Sequence, residues 1–592
     1  MVRRVSPKVS AVALAGLLGL AIISGSSPSK NVEGGLNAAM FGPVGNDADE
    51  SAELKLGSSK RCDSLDPGLS FDSWCAVIHR TYSRNVMSYT GAPGQAGLEV
   101  VPDLANGYPD ISADAKVWTF NLRDDVRWDD GTIVTAGDVR YSIERLYTSS
   151  LQASVSNSIL CLLSNCSDGT PDYQGPFKKK YPHLKSISTS GKFKIIFELT
   201  RSCGDFDRVL ATSQFAPIQR SRDIEMRRQK LTYAANPASN GPFKLQFKDT
   251  PVVAEFVRNP FWRQVTDPIR SPKVQTMTWR LYGTDESVDH ALVRGAIDLK
   301  LNSGLGEASR SWALSSPDRS KQLDLVPSNS TNVLALSSNV TPLDNVRCRE
   351  AIFYALNKKD LQRARGGTSV SSIAHSLIPR GVPGYAPNQN NFPVGPENTG
   401  NLIKARQKLS ECGYPDGFEV GMAYLDLGVG RNIYLSVQRS LARIGIVVDP
   451  VRYANFADYF TLGIGSPENI KERNIGIMMT KFGAEYLSAS AFWGPAVDGR
   501  NITNFANRNL AQLSDEKLNT LLDKLSVIAK YETLASLSSE LAIEIEAKAV
   551  YLPYATDRIV LFRGNRLVNV YVQQGLGSSY DLVNVGKNKV AS

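Results

Sequence analysis

The sequence has 592 residues, of which 42% are hydrophobic and 21% charged, so the chain can bury more than one sizeable core and is not a disordered tail. Its formal net charge of +9 is mild for this length, and basic and acidic residues are interspersed apart from the short run at 178–180. This pattern argues against binding to nucleic acid. A chain of this length is expected to fold into about two to four domains.

The N-terminal segment has the pattern of an export signal. Basic residues at positions 3, 4 and 8 precede an apolar run over residues 11–23, and small residues follow at 24–27. The run is too short to span a bilayer comfortably, and this order of basic, apolar and small residues is typical of a secretory signal peptide. We therefore predict a signal peptide over residues 1–27 and an extracytoplasmic protein, either secreted or associated with the cell surface.

Residues 23–26 have the shape of a lipobox in which Ser26 occupies the position of the lipid-modified cysteine, and the first cysteine of the chain is Cys62. A serine cannot carry a thioether-linked lipid, so we expect no lipid anchor at this site. Residues 28–51 are rich in Gly, Ser, Asn and Asp and show no hydrophobic periodicity. This composition predicts a flexible leader between the signal peptide and the folded body.

The cysteines of an exported chain are candidates for disulfides. The seven are Cys62, Cys75, Cys161, Cys166, Cys203, Cys348 and Cys412. They permit up to three disulfides and leave one thiol, and we favour the local pairs Cys62–Cys75 and Cys161–Cys166. The sequence has no C-x-x-C, and its four histidines are scattered, so we predict no metal site and no cofactor.

The stretch from Trp118 to Tyr141, WTFNLRDDVRWDDGTIVTAGDVRY, predicts a strand, a turn, a second strand and a capped helix. Apolar residues at 120, 122, 126 and 128 alternate with polar ones, as in strands with one buried face, and Asp130-Gly131 is a hairpin-turn pair. Thr135 and Asp138 have the spacing of a capping box, and positions 139, 143 and 146 then share one face of the predicted helix.

Further along the chain, predicted strands alternate with predicted helices. Strand-like runs occupy residues 193–199, 332–336, 445–448 and 475–479, and helical patterns occupy residues 402–411, 438–444 and 534–549. Another helix is predicted to start near Asn345, and Gly413 followed by Pro415 marks the end of the helix over 402–411. The alternation of helix, turn and buried strand is typical of an α/β fold.

The order of residues between Trp118 and Tyr141 resembles the signature of one family. The pattern W-T-F-x-L-R, then D-G, then T-A-x-D-V recurs in extracytoplasmic solute-binding proteins that deliver oligopeptides, dipeptides or nickel complexes to ABC importers. The segments SLDP at 64–67 and RNPFW at 258–262 resemble further motifs of this family. The similarity extends from about residue 54 to 585. The tail over 569–581 resembles members from antibiotic-producing actinobacteria, some of which act as peptide binders in signalling or biosynthesis.

This resemblance implies an α/β, two-lobed fold of the periplasmic-binding-protein class II, with a hinge between the lobes and an extra subdomain in the first lobe. It places lobe I with its subdomain at 52–328, lobe II at 329–552, and a segment that returns to lobe I at 553–592. The ligand would be captured in the cleft between the lobes. The implied partners are an oligopeptide and the membrane permease subunits of an ABC transporter, with the protein acting as a monomer.

In peptide-binding members of the family, a W-x-A-D-Y motif follows a buried strand and lines the cleft. Its Asp binds the α-ammonium of the peptide, while the neighbouring backbone pairs with the peptide as an added strand would. The corresponding segment here is KFGAEY, in which Phe482 replaces the Trp and Glu485 replaces the Asp. The resemblance thus implies Lys481, Phe482, Gly483, Glu485 and Tyr486 as ligand-binding residues, with Lys481 the nearest candidate for the peptide's carboxylate. Glu485 can also be interpreted as an ordinary solvated acid.

A loop of lobe I contacts the ligand in oligopeptide-binding relatives, and the matching residues here are Phe71, Asp72 and Ser73. Asp72 has two interpretations that the sequence does not separate. Its carboxylate can hold a basic side chain of the ligand, or it can cap the helix that is predicted to start near Trp74.

The chemistry of the sequence indicates binding rather than catalysis. It contains no G-x-S-x-G, H-E-x-x-H, Walker A or G-x-G-x-x-G motif, so we expect no enzymatic activity, with a secreted hydrolase as a remote alternative. Within the same fold the ligand can also be a nickel chelate, an oligosaccharide or a specialised metabolite, although the scarcity of His argues against nickel. A released peptide binder that serves signalling or biosynthesis is a further alternative.

Overall fold

The structure, a computed structural model, describes residues 35–45, 47–148, 154–167, 169–178, 183–248, 252–387, 391–395 and 397–589. The predicted signal peptide and the lipobox position lie outside these residues. Within the described ranges, no helix combines the length and the apolar character that a membrane span requires.

The first part of the chain, to residue 210, contains mostly short strands. They are β1 (Glu53–Ser58), β2 (Met87–Tyr89), β3 (Val100–Pro102), β4 (Asp110–Ile111), β5 (Val117–Asn121), β6 (Cys166–Ser167), β7 (Thr170–Pro171), β8 (Ile187–Ser190) and β9 (Lys194–Glu198). The helices are α1 (Cys75–Tyr82), α2 (Ala136–Arg145), α3 (Asn157–Leu160) and α4 (Phe206–Leu210).

The middle of the chain, to residue 336, alternates strands and helices. Its helices are α5 (Arg220–Arg228), α6 (Asp285–Val293), α7 (Glu307–Leu314) and α8 (Pro317–Ser320). Its strands are β10 (Phe243–Phe247), β11 (Val252–Arg258), β12 (Thr276–Leu281), β13 (Leu299–Lys300), β14 (Leu323–Pro327) and β15 (Ser330–Leu336).

The last part of the chain contains the longer elements. Its helices are α9 (Val346–Ala355), α10 (Lys358–Ala364), α11 (Leu402–Glu411), α12 (Gly430–Ala442), α13 (Pro467–Glu472), α14 (Ala489–Val497), α15 (Glu516–Ser526) and α16 (Tyr531–Ala547), and a π-helical turn covers Asp458–Gly463. Its strands are β16 (Ser371–Ile373), β17 (Glu419–Leu425), β18 (Val447–Tyr453), β19 (Ile475–Gly483), β20 (Tyr551–Phe562), β21 (Leu567–Val568), β22 (Val572–Gln573), β23 (Ser579–Tyr580) and β24 (Gly586–Lys587).

Two mixed sheets organise the described residues into two lobes. The sheet of lobe I has the strand order β10-β11-β12-β1-β13, and the sheet of lobe II has the order β14-β20-β15-β19-β17-β18, with β16 beside β20. A four-stranded antiparallel sheet, β4-β5-β9-β8, forms the extra subdomain of lobe I. The α/β, two-lobed fold expected from the sequence is therefore confirmed.

The turn and helix predicted around Asp130 and Thr135 are present. Thr135 is the N-cap of α2, and its hydroxyl accepts from the amide of Asp138 while the Asp138 carboxylate accepts from the amide of Thr135, at 3.3 and 2.9 Å. The apolar face of α2, at Val139, Ile143 and Leu146, is fully buried. Local spacing was sufficient to predict the cap and the helix, because each contact joins residues three or four positions apart. The predicted second strand is not formed, and only an isolated bridge between Arg127 and Ile133 lies there.

The described residues of the predicted flexible leader are packed against the protein. Ala38 and Ala39 are buried, and the amide of Ala39 donates to the carboxylate of Asp324 at 3.1 Å. Val44 forms an antiparallel bridge with Val570 in the C-terminal part of the chain. The leader prediction therefore does not hold for residues 35–45, because a few apolar side chains and backbone groups find partners that are distant in sequence.

The chain does not leave the sheet of lobe II at residue 552. The twelve-residue strand β20 pairs with β15 through its first half and with β14 through its second half, as far as Phe562. Past this strand, Val568 pairs with Gly586, and Lys587 donates to the carbonyl of Glu53 in β1 at 3.0 Å. The return to lobe I thus begins about ten residues later than the resemblance implied.

Three disulfides are present in the described residues, and they join Cys62 to Cys75, Cys161 to Cys166, and Cys348 to Cys412. The first two are the local pairs that the sequence favoured. The third joins the start of α9 to the C-cap of α11 across 64 residues, a separation that gives no local signal. Cys203 remains a buried thiol, and burial raises its pKa well above the ordinary value.

Candidate functional site

The loop of lobe I that precedes α1 is organised by the carboxylate of Asp63. This group accepts hydrogen bonds from the hydroxyl of Ser70 at 2.7 Å and from the backbone amides of Ser64, Phe71 and Asp72 at 3.0, 2.7 and 3.1 Å. Burial opposes the charge of Asp63, but these hydrogen bonds outweigh it and lower the pKa of the carboxyl. The loop therefore holds the side chain of Phe71 in an exposed position.

Asp72 does not cap the first helix through its side chain. Its carboxylate lies 3.0 Å from Nζ of Lys60 and accepts from Nε1 of Trp74 at 3.2 Å, whereas its backbone carbonyl accepts from the amide of Cys75. Ser73 is exposed beside it. The Asp72 carboxylate is therefore already balanced by a lysine, which reduces its attraction for a basic side chain of a ligand.

The segment predicted to line the cleft from lobe II begins inside a strand. β19 continues to Gly483, four residues beyond the predicted strand end, because Lys481, Phe482 and Gly483 pair with Asn332, Thr331 and Ser330 of β15. On the other side of β19, pairing with β17 ends at Met478. The last residues of β19 therefore have one edge paired with β15 and no strand of the described chain paired with the other.

Two of these strand residues are engaged within lobe II. Nζ of Lys481 lies 3.3 Å from the carboxylate of Asp557. The ring of Phe482 packs edge-on against Tyr551, with ring centroids 4.7 Å apart, and contacts Phe492. Phe482 is thus a half-buried packing residue, and Lys481 would have to share its charge between Asp557 and a bound carboxylate.

Glu485 lies just past the end of β19 and contacts both lobes. Its Oε1 atom is 2.6 Å from Nη1 of Arg508 in lobe II. Its Oε2 atom accepts from the hydroxyl of Ser156 at 2.6 Å and from that of Ser158 at 3.4 Å, both in the extra subdomain. Glu485 is therefore neither an isolated solvated acid nor an unpaired charge.

A second contact between the lobes surrounds Asp205, which is buried. Its carboxylate accepts from the hydroxyls of Ser488 and Ser490, and the hydroxyl of Tyr486 lies 3.5 Å from its Oδ1 atom. Burial, together with the charge of Asp205, raises the pKa of Tyr486 well above its ordinary value. This arrangement joins the loop before α4 to the segment between β19 and α14.

Arg208 extends the same interface. Its Nη1 atom donates to the carbonyls of Leu98 in lobe I and Leu487 in lobe II, at 3.2 and 3.1 Å, and its guanidinium lies over the ring of Tyr531, 5.5 Å from the centroid. Burial and the neighbouring Asp205 raise the pKa of Asp207 to about 6, although the charge of Arg208 opposes this shift. The lobes are thus held together by direct polar contacts.

Two cavities flank these contacts between the lobes. One of about 660 Å³ is bounded by the extra subdomain on one side and by α14 and α15 on the other, and Glu485 and Tyr486 line it. The other, of about 510 Å³, includes Asp205, Asp207 and Tyr531 in its wall. Both volumes are in the range of small-molecule and cofactor sites.

The structure thus separates the residues predicted for the site into groups. Glu485 and Tyr486 reach the interface between the lobes, Lys481 and Phe482 make contacts inside lobe II, and no hydrogen bond or ion pair between described residues joins either group to Phe71–Ser73. Sequence reasoning missed Ser156, Asp205 and Arg508. Each meets the KFGAEY segment or its neighbours only through the tertiary fold, and none lies in a motif that could have marked it.

The sequence model described as "Bacterial extracellular solute-binding proteins, family 5 Middle" matches residues 99–504. The solved structure titled "Clavulanic acid biosynthesis oligopeptide binding protein 2" is similar with 31% identity and a TM-score of 0.84, covering 94% of this chain and 99% of that one.

Two curated relatives are more distant. The glutathione-binding protein GsiB of Salmonella paratyphi A is 24% identical over 393 residues, which are 65% of this chain and 66% of that protein. The heme-binding protein A of Haemophilus influenzae is 24% identical over 506 residues, which are 82% of this chain and 83% of that protein. The names of these two relatives refer to chemically different ligands, glutathione and heme.

Proposed function

Because the chain belongs to family 5 of the bacterial extracellular solute-binding proteins, we propose that it captures oligopeptides between its two lobes and delivers them to the membrane subunits of an ABC importer. The observation that carries this proposal is the position of Glu485, a carboxylate at the carboxyl end of β19 that contacts both lobes. The similarity to an oligopeptide-binding protein over 94% of the chain supports it.

The two oxygens of Glu485 have different surroundings. Arg508 holds Oε1, whereas Oε2 accepts only from serine hydroxyls among the hydrogen bonds of the described residues. A carboxylate offers about four lone-pair sites, so an α-ammonium can bind at Oε2 while Arg508 stays in place. At Oε2 the ammonium would replace the neutral hydroxyl donors of the serines by a charged donor. A charge-assisted hydrogen bond is stronger than a neutral one, so this replacement is favourable in a partly dry cleft.

The backbone of β19 offers a second feature that suits a peptide. The carbonyl of Met479 accepts from the hydroxyl of Tyr459, but residues 480–483 have no partner strand on the β17 side among the described residues, so an extended peptide can add there as a strand. Backbone pairing does not depend on side-chain identity. Such a site would accept peptides of varied sequence and place their amino termini toward Glu485.

The test is to identify the ligand directly. Protein exported by its native host and analysed by mass spectrometry under non-denaturing conditions is expected to carry peptides. Calorimetry with purified tripeptides to pentapeptides should then give micromolar or tighter dissociation constants, with glutathione and hemin as the alternatives that the relatives suggest. Binding of glutathione or hemin without binding of any longer peptide would replace the proposed ligand class.

A further inference from the structure

Four exposed apolar side chains are carried by the π-helical turn of lobe II and by the chain beside it, and we call them the aromatic rim: Phe456, Phe460, Leu462 and Phe505. Their exposed fractions are 63%, 40%, 58% and 59%. The rings of Phe456 and Phe460 stack with centroids 6.0 Å apart, and the amide of Ala506 donates to the carbonyl of Thr461. Phe456 and Phe460 therefore form one patch, and the backbone of the segment that carries Phe505 lies beside the turn that carries Phe460 and Leu462.

The topology of the sheet fixes where this surface lies. β17 is parallel to both β18 and β19, so Leu425, Tyr453 and Gly483 end their strands at one edge. The π-helical turn that carries Phe460 sits over this edge, because the hydroxyl of Tyr459 donates to carbonyls of β17 and β19. Ligands of open α/β sheets bind at the carboxyl ends of the strands.

The aromatic rim is also continuous with the surroundings of Glu485. Phe505 precedes Arg508 by three residues, and Arg508 forms the 2.6 Å ion pair with Glu485. The amide of Asn507 donates to the carbonyl of Gly465 at 2.9 Å, which ties this segment to the chain just past the π-helical turn. The segment of Phe505 therefore connects the chain beside the π-helical turn to the arginine that pairs with Glu485.

The exposure of the rim persists although the lobes are in contact. Serine and carboxylate groups join the lobes directly at Asp205 and Glu485, yet the rim side chains keep about half of their surface open. Exposed apolar surface of this kind is unfavourable in water, and burying one such side chain gains affinity for the group that covers it.

We infer that the aromatic rim is a binding subsite for an aliphatic or aromatic side chain of the ligand, which makes the protein selective for peptides with at least one large apolar residue. This inference rests on the proposed function and deepens it. The backbone edge of β19 and Glu485 would recognise any peptide, whereas the rim would select among them.

The experiment compares tetrapeptides against matched variants. The probes are Ala-Ala-Ala-Ala and the eight peptides with a single Phe or a single Ser at each position, measured by calorimetry. The proteins are wild type, the double variant Phe456→Ser/Phe505→Ser, and the control Phe247→Ser, whose ring at the end of β10 in lobe I is 41% exposed. Melting temperatures verify that each variant is folded.

At one or more positions, wild type and the control should bind the Phe peptide about tenfold more tightly than the Ser peptide. The double variant should lose this preference and keep its affinity for Ala-Ala-Ala-Ala. If wild type binds tetrapeptides without preferring Phe, or the double variant keeps the preference, the subsite is wrong and the proposed function stands. If no tetrapeptide binds wild type, the proposed function fails and the subsite with it. If the double variant binds peptides as wild type does but no longer stimulates the ATPase of the importer, the rim contacts the membrane subunits and the proposed subsite is wrong.

Discussion

Nη1 of Arg508 lies 2.6 Å from Oε1 of Glu485, so the acid proposed to recognise a peptide is already paired on one side within its own lobe. The arginine fixes the orientation of the carboxylate and leaves the other oxygen toward lobe I. Arg508 therefore acts on the ligand through Glu485, by holding that carboxylate in place.

Replacing Glu485 by Ala should weaken the binding of a peptide with a free amino terminus by about 2 to 4 kcal/mol. The variant leaves the α-ammonium without its acceptor beside an unpaired Arg508. N-acetylation of the peptide removes the same interaction from the ligand side. Acetylation should therefore cost wild type a comparable amount and cost the variant little more, as measured by calorimetry on the four combinations.

Glu350→Ala is the matched control for this cycle. Glu350 is a partly buried acid of lobe II that pairs with Arg347 at 2.8 Å, away from the lobe interface. Glu350→Ala should leave the affinity for the free peptide and for the N-acetylated peptide unchanged. If the effects of Glu485→Ala and acetylation simply add, Glu485 does not bind the ammonium, even where the protein binds peptides.

Ser490→Ala should loosen the contact between the lobes in the ligand-free protein. The variant removes one donor from the buried carboxylate of Asp205, and a hydrogen bond to a charged group contributes about 1.5 to 3 kcal/mol. Hydrogen exchange of the amides in 203–208 and 484–490 should become faster, with Ser320→Ala at the end of α8 as control. Unchanged exchange in both segments would show that Asp205 does not hold the lobes together.

The contribution of Asp207 to the stability of the protein should fall as pH rises from about 4 to about 6. Its folded-state pKa of about 6 exceeds the ordinary value of 3.8, so the folded protein binds the proton more tightly than the unfolded chain in this window. The stability present at low pH is lost as the carboxyl ionises, by at most about 3 kcal/mol.

Asp207→Asn removes this titration and keeps an oxygen that can accept from the amide of Arg208. As the pH rises from 4.5 to 7, the melting temperature of the variant should increase relative to that of wild type. Other titrating groups contribute equally to both proteins and cancel in this difference. A difference between variant and wild type that stays constant with pH would contradict the raised pKa.

Two of the disulfides should differ in how much their removal lowers the free energy of unfolding. In the loop-entropy description, the Cys348–Cys412 bridge with its separation of 64 residues stabilises by about 4 kcal/mol, and the Cys161–Cys166 bridge with its separation of 5 by about 2 kcal/mol. The double alanine variants, compared by denaturant unfolding, should follow this order. Non-reducing peptide mapping should find Cys203 as the one alkylatable thiol after unfolding.

The sequence alone determined the elements whose signals are local. The capping box of Thr135 and Asp138, the end of α11 at Gly413, and the short-range cysteine pairs all depend on residues within about a dozen positions of one another. The family resemblance also identified the α/β, two-lobed fold, because several short motifs recur in the same order along the chain.

Only the tertiary structure decided how the candidate site is built. Ser156 and Glu485 are 329 residues apart in sequence, and Asp205 and Ser488 are 283 apart, so no local pattern could pair them. The length of β19 is set by pairing with β15, which carried Lys481 and Phe482 out of the predicted cleft loop and into the strand. Local spacing predicts caps and turns because the residues that form them are neighbours in the chain. The partners of a buried charge or of a strand edge are distant in sequence, and they meet it only when the lobes pack together.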